Sequence, residues 1–351
     1  MLNFYLIKLY IRQILTIFIA LEIFYAGIDF IGASSLLPDS ANLRLLYAIF
    51  TLGTAMKITL PLSLIFAMIA SKIYLIRTNE LVIAYALGAK KREILKPFIL
   101  ISSIISILYI ALYATPFAYF DQMAQSIKKD KYFVSVTKNI FVKYDNSYIY
   151  IERLFPAQKS AIGVRVFELN NDVLSRVIVS ENAYFSQNKW TLYDGKIINK
   201  PLVSGIQEDG IKISNFKQYD ILEGFDPKIV DKIYEGGGSY SLIDAFDAIL
   251  MLKKQNANID KIVSSIVTTV VIPLFAPLIV IIIFFFVPIS SRFFNLTLFS
   301  SGAIFLTLAA WGFLFAMATL SQNDTVNVWL AVVAPFVLLF FTALFFYKKI
   351  S

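Results

Sequence analysis

Ile262–Val287 reads IVSSIVTTVVIPLFAPLIVIIIFFFV, and no residue in this stretch carries a charge. A helix needs about 20 mostly apolar residues to cross the roughly 30 Å hydrocarbon core of a bilayer. Five other stretches of similar length are bounded by charged or turn residues: Gln13–Ile31, Leu45–Leu75 with polar interruptions, Pro97–Phe117, Leu296–Leu320 and Val326–Tyr347. The sequence therefore predicts six membrane-spanning helices, called spans one to six, of which Ile262–Val287 is the fourth.

The composition agrees with a chain whose solvent is largely lipid. Hydrophobic residues make up 58% of the 351 residues and charged residues 16%, and the mean hydropathy is +0.69. The net charge of +8 does not indicate a nucleic-acid partner, because the Lys and Arg residues flank hydrophobic runs. The chain contains no Cys or His, which excludes disulfides, thiol nucleophiles, imidazole bases and zinc sites built from those ligands. No cofactor or metal is predicted.

The positive charges of the short loops predict the orientation in the membrane. With six spans they all fall on one side: Lys8, Arg12, Lys72, Arg77, Lys90, Lys91, Arg92, Lys96, Arg292, Lys348 and Lys349. This side should be the cytoplasm of an inner-membrane protein, with both termini inside and the long insert after span three in the periplasm. Span one is too long for a signal peptide and lacks a clear cleavage site, so it is expected to be retained.

The insert changes from helical runs to short alternating ones rich in β-branched and aromatic residues. The predicted strands are Asn139–Tyr144, Ser147–Leu154, Gly163–Glu168, Val173–Ser180, Lys189–Tyr193 and Gly195–Ile198, with turns such as Asp145-Asn146 and Asp194-Gly195. A sandwich or jelly-roll-like β-domain fits this pattern best. The fold class is therefore a six-helix membrane bundle with an inserted periplasmic β-domain. Its domains are residues 1–118, 119–258 and 259–351, and Ser241 is expected to begin a helix that leads to span four.

A short helix is predicted at about residues 79–87, between spans two and three. Thr78 or Asn79 can cap it, Glu80 complements its positive end, and Gly88 suits a left-handed stop. One face carries an apolar stripe, formed by Leu81, Ala84, Tyr85 and Gly88. Such a stripe can insert into a groove of a partner protein. The alternative is an interfacial helix that lies on lipid headgroups.

The chain shows no motif of an enzyme that acts alone. A G-x-x-x-x-G-K-[ST] phosphate loop is absent, and so are a nucleophile elbow and a metalloprotease helix. We expect a non-catalytic protein, and any ATP hydrolysis that drives it should come from a separate subunit.

Several segments resemble the LptF/LptG permeases of lipopolysaccharide export, and the resemblance covers almost the whole chain. They are RTNELVIAYALGAKKREIL at Arg77–Leu95, Pro61 in span two, NSYIYIERL at Asn146–Leu154, Pro273 and Pro277 in span four, and VWLAVVAPF at Val328–Phe336. The NSYIYIERL segment is closer to LptG than to LptF. The resemblance implies an LptF–LptG pair on two copies of the ATPase LptB, and a β-domain jelly roll that passes lipopolysaccharide to LptC and LptA. It also implies that the 79–87 helix couples the permease to the ATPase.

Four charged residues are candidates for a substrate cavity: Glu22, Asp29, Arg44 and Lys57. Glu22 and Lys57 lie at similar predicted depths, so they either form a structural ion pair or line a cavity, and the ion pair is favoured slightly. The family's lysines near the periplasmic end of span one are missing here, since no lysine stands between Asp29 and Lys57. Arg44 can substitute for them, or it can snorkel at the interface.

Three aromatic residues of the β-domain are candidates for a lipid path: Tyr148, Tyr150 and Trp190. Ordinary sheet packing would use the same residue types. Two other classes of function stay open on the residues alone. One is an ion-gradient-driven lipid transporter, which would show inverted repeats. The other is a membrane-anchored periplasmic lipid-binding module, which would not need a cytoplasmic coupling helix.

Overall fold

The computed structural model of the chain describes residues 2–129, 136–156, 158–170, 173–200, 210–227, 240–253, 259–289, 295–323 and 325–350. The chain forms two compact units. A helical unit contains Met1–Lys128, Ser239–Ala245 and Asp260–Ser351, and a β-unit contains Lys129–Gly238 and Phe246–Ile259. The helical unit thus includes residues 119–128, which the sequence predicts to belong to the insert.

Nine α-helices lie in the described ranges. They are α1 (Leu2–Ala33), α2 (Ala41–Arg77), α3 (Glu80–Ala86), α4 (Lys91–Leu112), α5 (Phe120–Lys128), α6 (Leu242–Lys253), α7 (Asp260–Phe286), α8 (Leu296–Gln322) and α9 (Ala334–Lys349). A π-helical turn, Trp329–Val333, leads into α9. As predicted, Ser241 begins α6, because its hydroxyl accepts a hydrogen bond from the backbone N–H of Asp244 at 3.1 Å.

Six of these helices are long and apolar enough to cross a membrane, which confirms the predicted number of spans. They are α1, α2, α4, α7, α8 and the run Trp329–Lys349, which contains α9. Two boundaries differ from the prediction. Helix α1 begins at Leu2, well before the apolar window at Gln13, and α4 ends at Leu112 because a turn and a short 3-10 helix at Pro116–Tyr119 follow it.

The core of the helical unit joins α2, α4 and α7 around fully buried Leu64, Met68, Phe98 and Phe275. Pro277 of α7 has no N–H to offer to the carbonyl of Pro273 one turn earlier. Ser106 of α4 donates a hydrogen bond to that carbonyl at 3.0 Å. A side chain from a neighbouring helix thus satisfies a backbone group that proline leaves free, as a membrane interior requires.

The β-unit is a six-stranded antiparallel sheet whose strands follow one another in chain order. They are β1 (Thr137–Tyr144), β2 (Ser147–Phe155), β3 (Ser160–Asn170), β4 (Val173–Ser186), β5 (Lys189–Asn199) and β6 (Lys212–Ile221). The β4–β5 turn at Gln187 and Asn188 has positive φ at both residues, as a tight two-residue hairpin requires. The described strands therefore form a meander. The second sheet and crossing connections of the predicted jelly roll are not found among them.

Strand β5 corrects the predicted turn at Asp194-Gly195. The two short strands predicted on either side are one strand, and Gly195 lies in its middle opposite Phe216 of β6. A Cβ atom at Gly195 would come within 2.3 Å of the Phe216 ring and 2.4 Å of the Val179 carbonyl. The glycine is thus required by a ring that covers it across the sheet, not by a turn. Strand β6 was not predicted, because polar residues interrupt its apolar alternation.

The sheet curls around an apolar interior that includes Ile149, Ile178 and Leu192. The hydroxyl of Tyr144, at the end of β1, donates to the carbonyl of Glu223 at 2.5 Å, just after β6. The ring of Tyr144 also meets that of Phe225 edge to face at 5.0 Å. The first strand and the segment after the last strand therefore close on each other.

We expect Gly195→Val to destabilise the β-unit by about 1–3 kcal/mol, because the added atoms overlap Phe216 and a backbone carbonyl. Limited proteolysis of the full chain in detergent, with cleavage sites mapped by mass spectrometry, would measure the loss. Gly210→Val is the matched control, since a Cβ there meets nothing within 4 Å. Equal cleavage rates in the two variants would contradict the close packing at Gly195.

Candidate functional site

Helix α3 is the predicted coupling helix, and its first residue is held by α1. The hydroxyl of Tyr5 donates to the Glu80 carboxylate at 2.6 Å. Neither predicted cap is formed: the Thr78 hydroxyl donates to the carbonyl of Tyr74 in the preceding turn, and the Asn79 side chain makes no capping bond. Asn79 instead takes a left-handed conformation, with φ 60°, which redirects the chain between α2 and α3.

The predicted stop at Gly88 is confirmed. Gly88 has φ +89°, and its N–H donates to the carbonyl of Tyr85. The N–H of Ala89 donates to the carbonyl of Ala84 at 3.0 Å, which completes a Schellman ending. The length of α3 is thus fixed at one end by a glycine that other residues replace only with strain.

The apolar stripe predicted to face a partner faces the protein's own core. Leu81 is 1% exposed, and Ala84 and Tyr85 pack half-buried against the same core. Burial raises the pKa of Tyr85 to about 12, and its hydroxyl has no hydrogen-bond partner among the described residues. The face predicted to dock is thus turned inward. After Glu80 the residues of α3 are apolar except for the Tyr85 hydroxyl, so the period of the helix does not show which side faces outward. The outward apolar face consists of Val82, Ile83 and Leu87, the last 83% exposed.

A lysine that the sequence predicts to be a charge of the loop between spans two and three is buried and joins α2 to α7. Lys72 lies within α2 and is fully buried. Its ammonium donates to the carbonyl of Phe284 at 2.7 Å and to that of Val287 at 3.4 Å, and it lies 3.6 Å from the centre of the Phe284 ring. A cation at the carboxyl end of a helix satisfies free carbonyls and complements the helix dipole.

Arg92 makes the equivalent contact from α4 to α9. Its guanidinium donates to the backbone carbonyl of Ile350 and to that of Lys348 at 3.0 Å. Lys72 and Arg92 stand on the two sides of α3 in the sequence. The segment that contains α3 is thus bonded to the carboxyl ends of two spans and, through Glu80, to a third. One signal in the sequence could have identified both residues. It is a basic residue at the level where a neighbouring span ends and leaves its last backbone carbonyls without donors.

The predicted Glu22–Lys57 ion pair is not formed. Glu22 is buried and accepts a hydrogen bond from the Thr59 hydroxyl, and its second carboxylate oxygen has no partner among the described residues. Lys57 lies 5.7 Å from the centre of the Phe315 ring of α8. Residues that are two apart in a helix point about 200° away from each other. Because Thr59 points toward Glu22, Lys57 points to the opposite side of α2.

The other two cavity candidates have local partners. Asp29 accepts a hydrogen bond from the Tyr47 hydroxyl at 2.5 Å. Arg44 donates to the Pro38 carbonyl at 2.9 Å and forms a salt bridge with Asp39 at 3.0 Å. Arg44 is thus held at the start of α2 by residues that precede this helix. These hydrogen bonds and the salt bridge of Arg44 do not involve Glu22 or Lys57.

The three β-unit aromatics do not share one surface. Tyr148 and Tyr150 alternate along β2 with buried Ile149 and therefore lie on the opposite face of the sheet. Tyr148 stacks on Phe141, and the Tyr150 hydroxyl donates to Asn139 at 2.9 Å. Trp190 belongs to the interior, where its indole N–H donates to the carbonyl of Phe225 at 2.7 Å. The contacts of all three are those of sheet packing.

The family model described as lipopolysaccharide export system permease LptF/LptG matches residues 4–349. No curated protein sequence matches the chain.

We expect Lys72→Met, which keeps the apolar stem, to lower the stability of the helical unit by about 1–3 kcal/mol, because buried carbonyls of α7 lose their donor. Thermal unfolding of the full chain in detergent would measure this change. Lys8→Met is the control, since Lys8 is exposed at the start of α1. An unchanged melting temperature for Lys72→Met would contradict a structural role for the contact.

Proposed function

Because the chain belongs to the LptF/LptG family of lipopolysaccharide export permeases, we propose that it is the membrane subunit of an ATP-driven exporter. It would extract lipopolysaccharide from the inner membrane and pass it to a periplasmic bridge of LptC- and LptA-like β-proteins. An LptB-like ATPase dimer would supply the energy, and an LptF-like permease would form a pair with this chain. The NSYIYIERL segment supports the LptG side of that pair.

The observation that carries the proposal is the anchoring of α3. A force applied to this helix reaches α1 through Tyr5, α7 through Lys72 and α9 through Arg92. A subunit that lacks its own ATPase motif needs such a mechanical connection to one that has it. The exposed residues Val82, Ile83 and Leu87 form the docking surface in this proposal, and Glu80 contributes a carboxylate that Tyr5 orients.

The contacts at α3 also support the proposed orientation. Tyr5, Arg92 and the last turn of α9 all lie at the α3 end of the helical unit. The described basic residues near the start of α1, around α3 and in the last turn of α9 are therefore at one end, which the positive-inside rule assigns to the cytoplasm. Arg292 lies outside the described residues. The insert follows α5, and Phe120 of α5 packs on Phe50, which lies nearer the first residue of α2 than the last. This end of α2 is opposite the end that leads into α3. The insert would therefore enter the periplasm.

The proposed entrance for lipid lies beside α1, α2 and α8, where Lys57 of α2 faces Phe315 of α8. Lys57 forms no salt bridge among the described residues, so its charge is available to a lipid phosphate. Most of α1 is open, with 11% of its most apolar window buried, which leaves a surface for the paired permease. The apolar interior of the curled sheet is the proposed path for acyl chains in the β-unit.

We expect Ile83→Asp and Leu87→Asp each to weaken ATPase binding by about 1–2 kcal/mol, roughly tenfold, because each places a carboxylate in an apolar contact. Recovery of the ATPase with the tagged chain would measure the change. Val173→Asp, at an exposed site of the β-unit, controls for the added charge. Normal recovery with both α3 variants would contradict docking on this face.

We expect Lys57→Met to assemble normally but to need about fivefold more lipopolysaccharide for half-maximal ATPase stimulation, because one cation near a phosphate contributes about 1 kcal/mol. The measurement is ATPase activity of the reconstituted complex. Glu22→Gln should not restore stimulation in the double variant. Recovery in Glu22→Gln/Lys57→Met would instead show that the two charges compensate each other.

A further inference from the structure

A groove of about 470 Å³ runs along the helical unit between α4, α7 and α9. Its wall is almost entirely aliphatic and aromatic and includes Ile99, Leu100, Ile281, Phe340 and Leu344. Three of these side chains are also open to the outside: Leu100 is 51% exposed, Phe340 45% and Leu344 38%. Because all three helices are membrane-spanning, this groove opens toward lipid.

The groove has polar residues at one end only, namely Lys96 and Tyr347. Lys96 lies about 7.5 Å along α4 from its first residue, and Tyr347 lies in the last turn of α9. The bonds from Arg92 to the end of α9 bring these two helix ends together. The polar end of the groove is therefore at the level where a membrane helix meets the headgroups.

Positive charge is concentrated at the same place. Lys91, Lys348 and Lys349 share this end with Lys96, and no salt bridge joins any of the four to a described acidic residue. A long lysine side chain near the end of a span directs its ammonium toward the headgroups. Basic residues beside an apolar groove between spans match the chemistry of an anionic lipid, with its phosphate outside the groove and its chain inside.

We propose that this groove binds one acyl chain of an anionic glycerophospholipid from the surrounding leaflet, with the phosphate at Lys96. The size of the groove favours a chain over a partner helix, because three turns of a helix about 10 Å wide occupy roughly 1,200 Å³. The site is separate from the proposed docking surface and lipid entrance, and it does not depend on ATP-driven export.

The test uses the full chain in detergent with two added lipids, palmitoyl-oleoyl phosphatidylglycerol and the phosphatidylcholine with the same chains. Native mass spectrometry counts the lipid molecules that each protein retains. The wild type should retain one phosphatidylglycerol at concentrations where phosphatidylcholine is lost. Lys96→Gln should weaken retention of phosphatidylglycerol about fivefold. Leu344→Trp, which fills the groove from an exposed position, should abolish retention.

Two matched variants control for general effects: Lys8→Gln, at an exposed lysine of α1, and Leu108→Trp, at an exposed leucine of α4 outside the groove. Both should retain lipid like the wild type. Equal weakening by Lys8→Gln and Lys96→Gln would show only diffuse attraction, and unchanged retention in Leu344→Trp would place the lipid elsewhere. Either result overturns the proposal. So would equal retention of the two lipids.

A photoreactive residue tests the alternative occupant. In Leu344→p-benzoyl-phenylalanine, irradiation of intact membranes should give an adduct with the mass of a phospholipid. An adduct with a protein would identify the groove as a subunit interface and overturn the lipid assignment.

Discussion

The last backbone carbonyls of a helix have no hydrogen-bond donor within that helix, and the helical unit is organised around this constraint. At two helix ends the missing donors are supplied by cations from neighbouring helices, Lys72 for α7 and Arg92 for α9. Inside the unit, Ser106 does the same for the carbonyl that Pro277 leaves free. Each of these bonds joins two helices, so satisfying the backbone also fixes which helices are neighbours. Helix α3 inherits its position from them, because it lies between Lys72 and Arg92 in the chain.

The sequence predicted the features that depend on length and local conformation. Six apolar windows gave six spans, since hydrocarbon thickness selects for length irrespective of packing. Gly88 was identified as the end of α3 because a left-handed residue is a local requirement. The strands from β1 to β4 were found from their alternation, although their ends were placed short. These features can be predicted without knowing which helices and strands pack against each other.

Features that depend on neighbours were predicted poorly. The apolar stripe of α3 was assigned to a partner, yet Leu81 is buried in the chain's own core. Glu22 and Lys57 were matched by depth, but Thr59 occupies the direction that an ion pair would need. Gly195 resembled a turn residue, and only the ring of Phe216 explains it as part of a strand. In each case the contact that determines the residue's role is made by a different helix or strand. The periodicity of one segment of sequence carries no information about such a contact.

The bond between Tyr5 and Glu80 has a mechanical consequence. Helix α1 is 32 residues long and contains no proline, so it behaves as a stiff rod of about 48 Å. The Tyr5–Glu80 hydrogen bond holds this rod near one end. Glu22 stands about 25 Å along this rod from Tyr5. A tilt of α1 by about 5° around the Tyr5–Glu80 bond would displace Glu22 by about 2 Å. This displacement exceeds the range of donor–acceptor distances over which a hydrogen bond holds. A tilt of that size would therefore break the Thr59–Glu22 hydrogen bond while the Tyr5–Glu80 hydrogen bond stays intact.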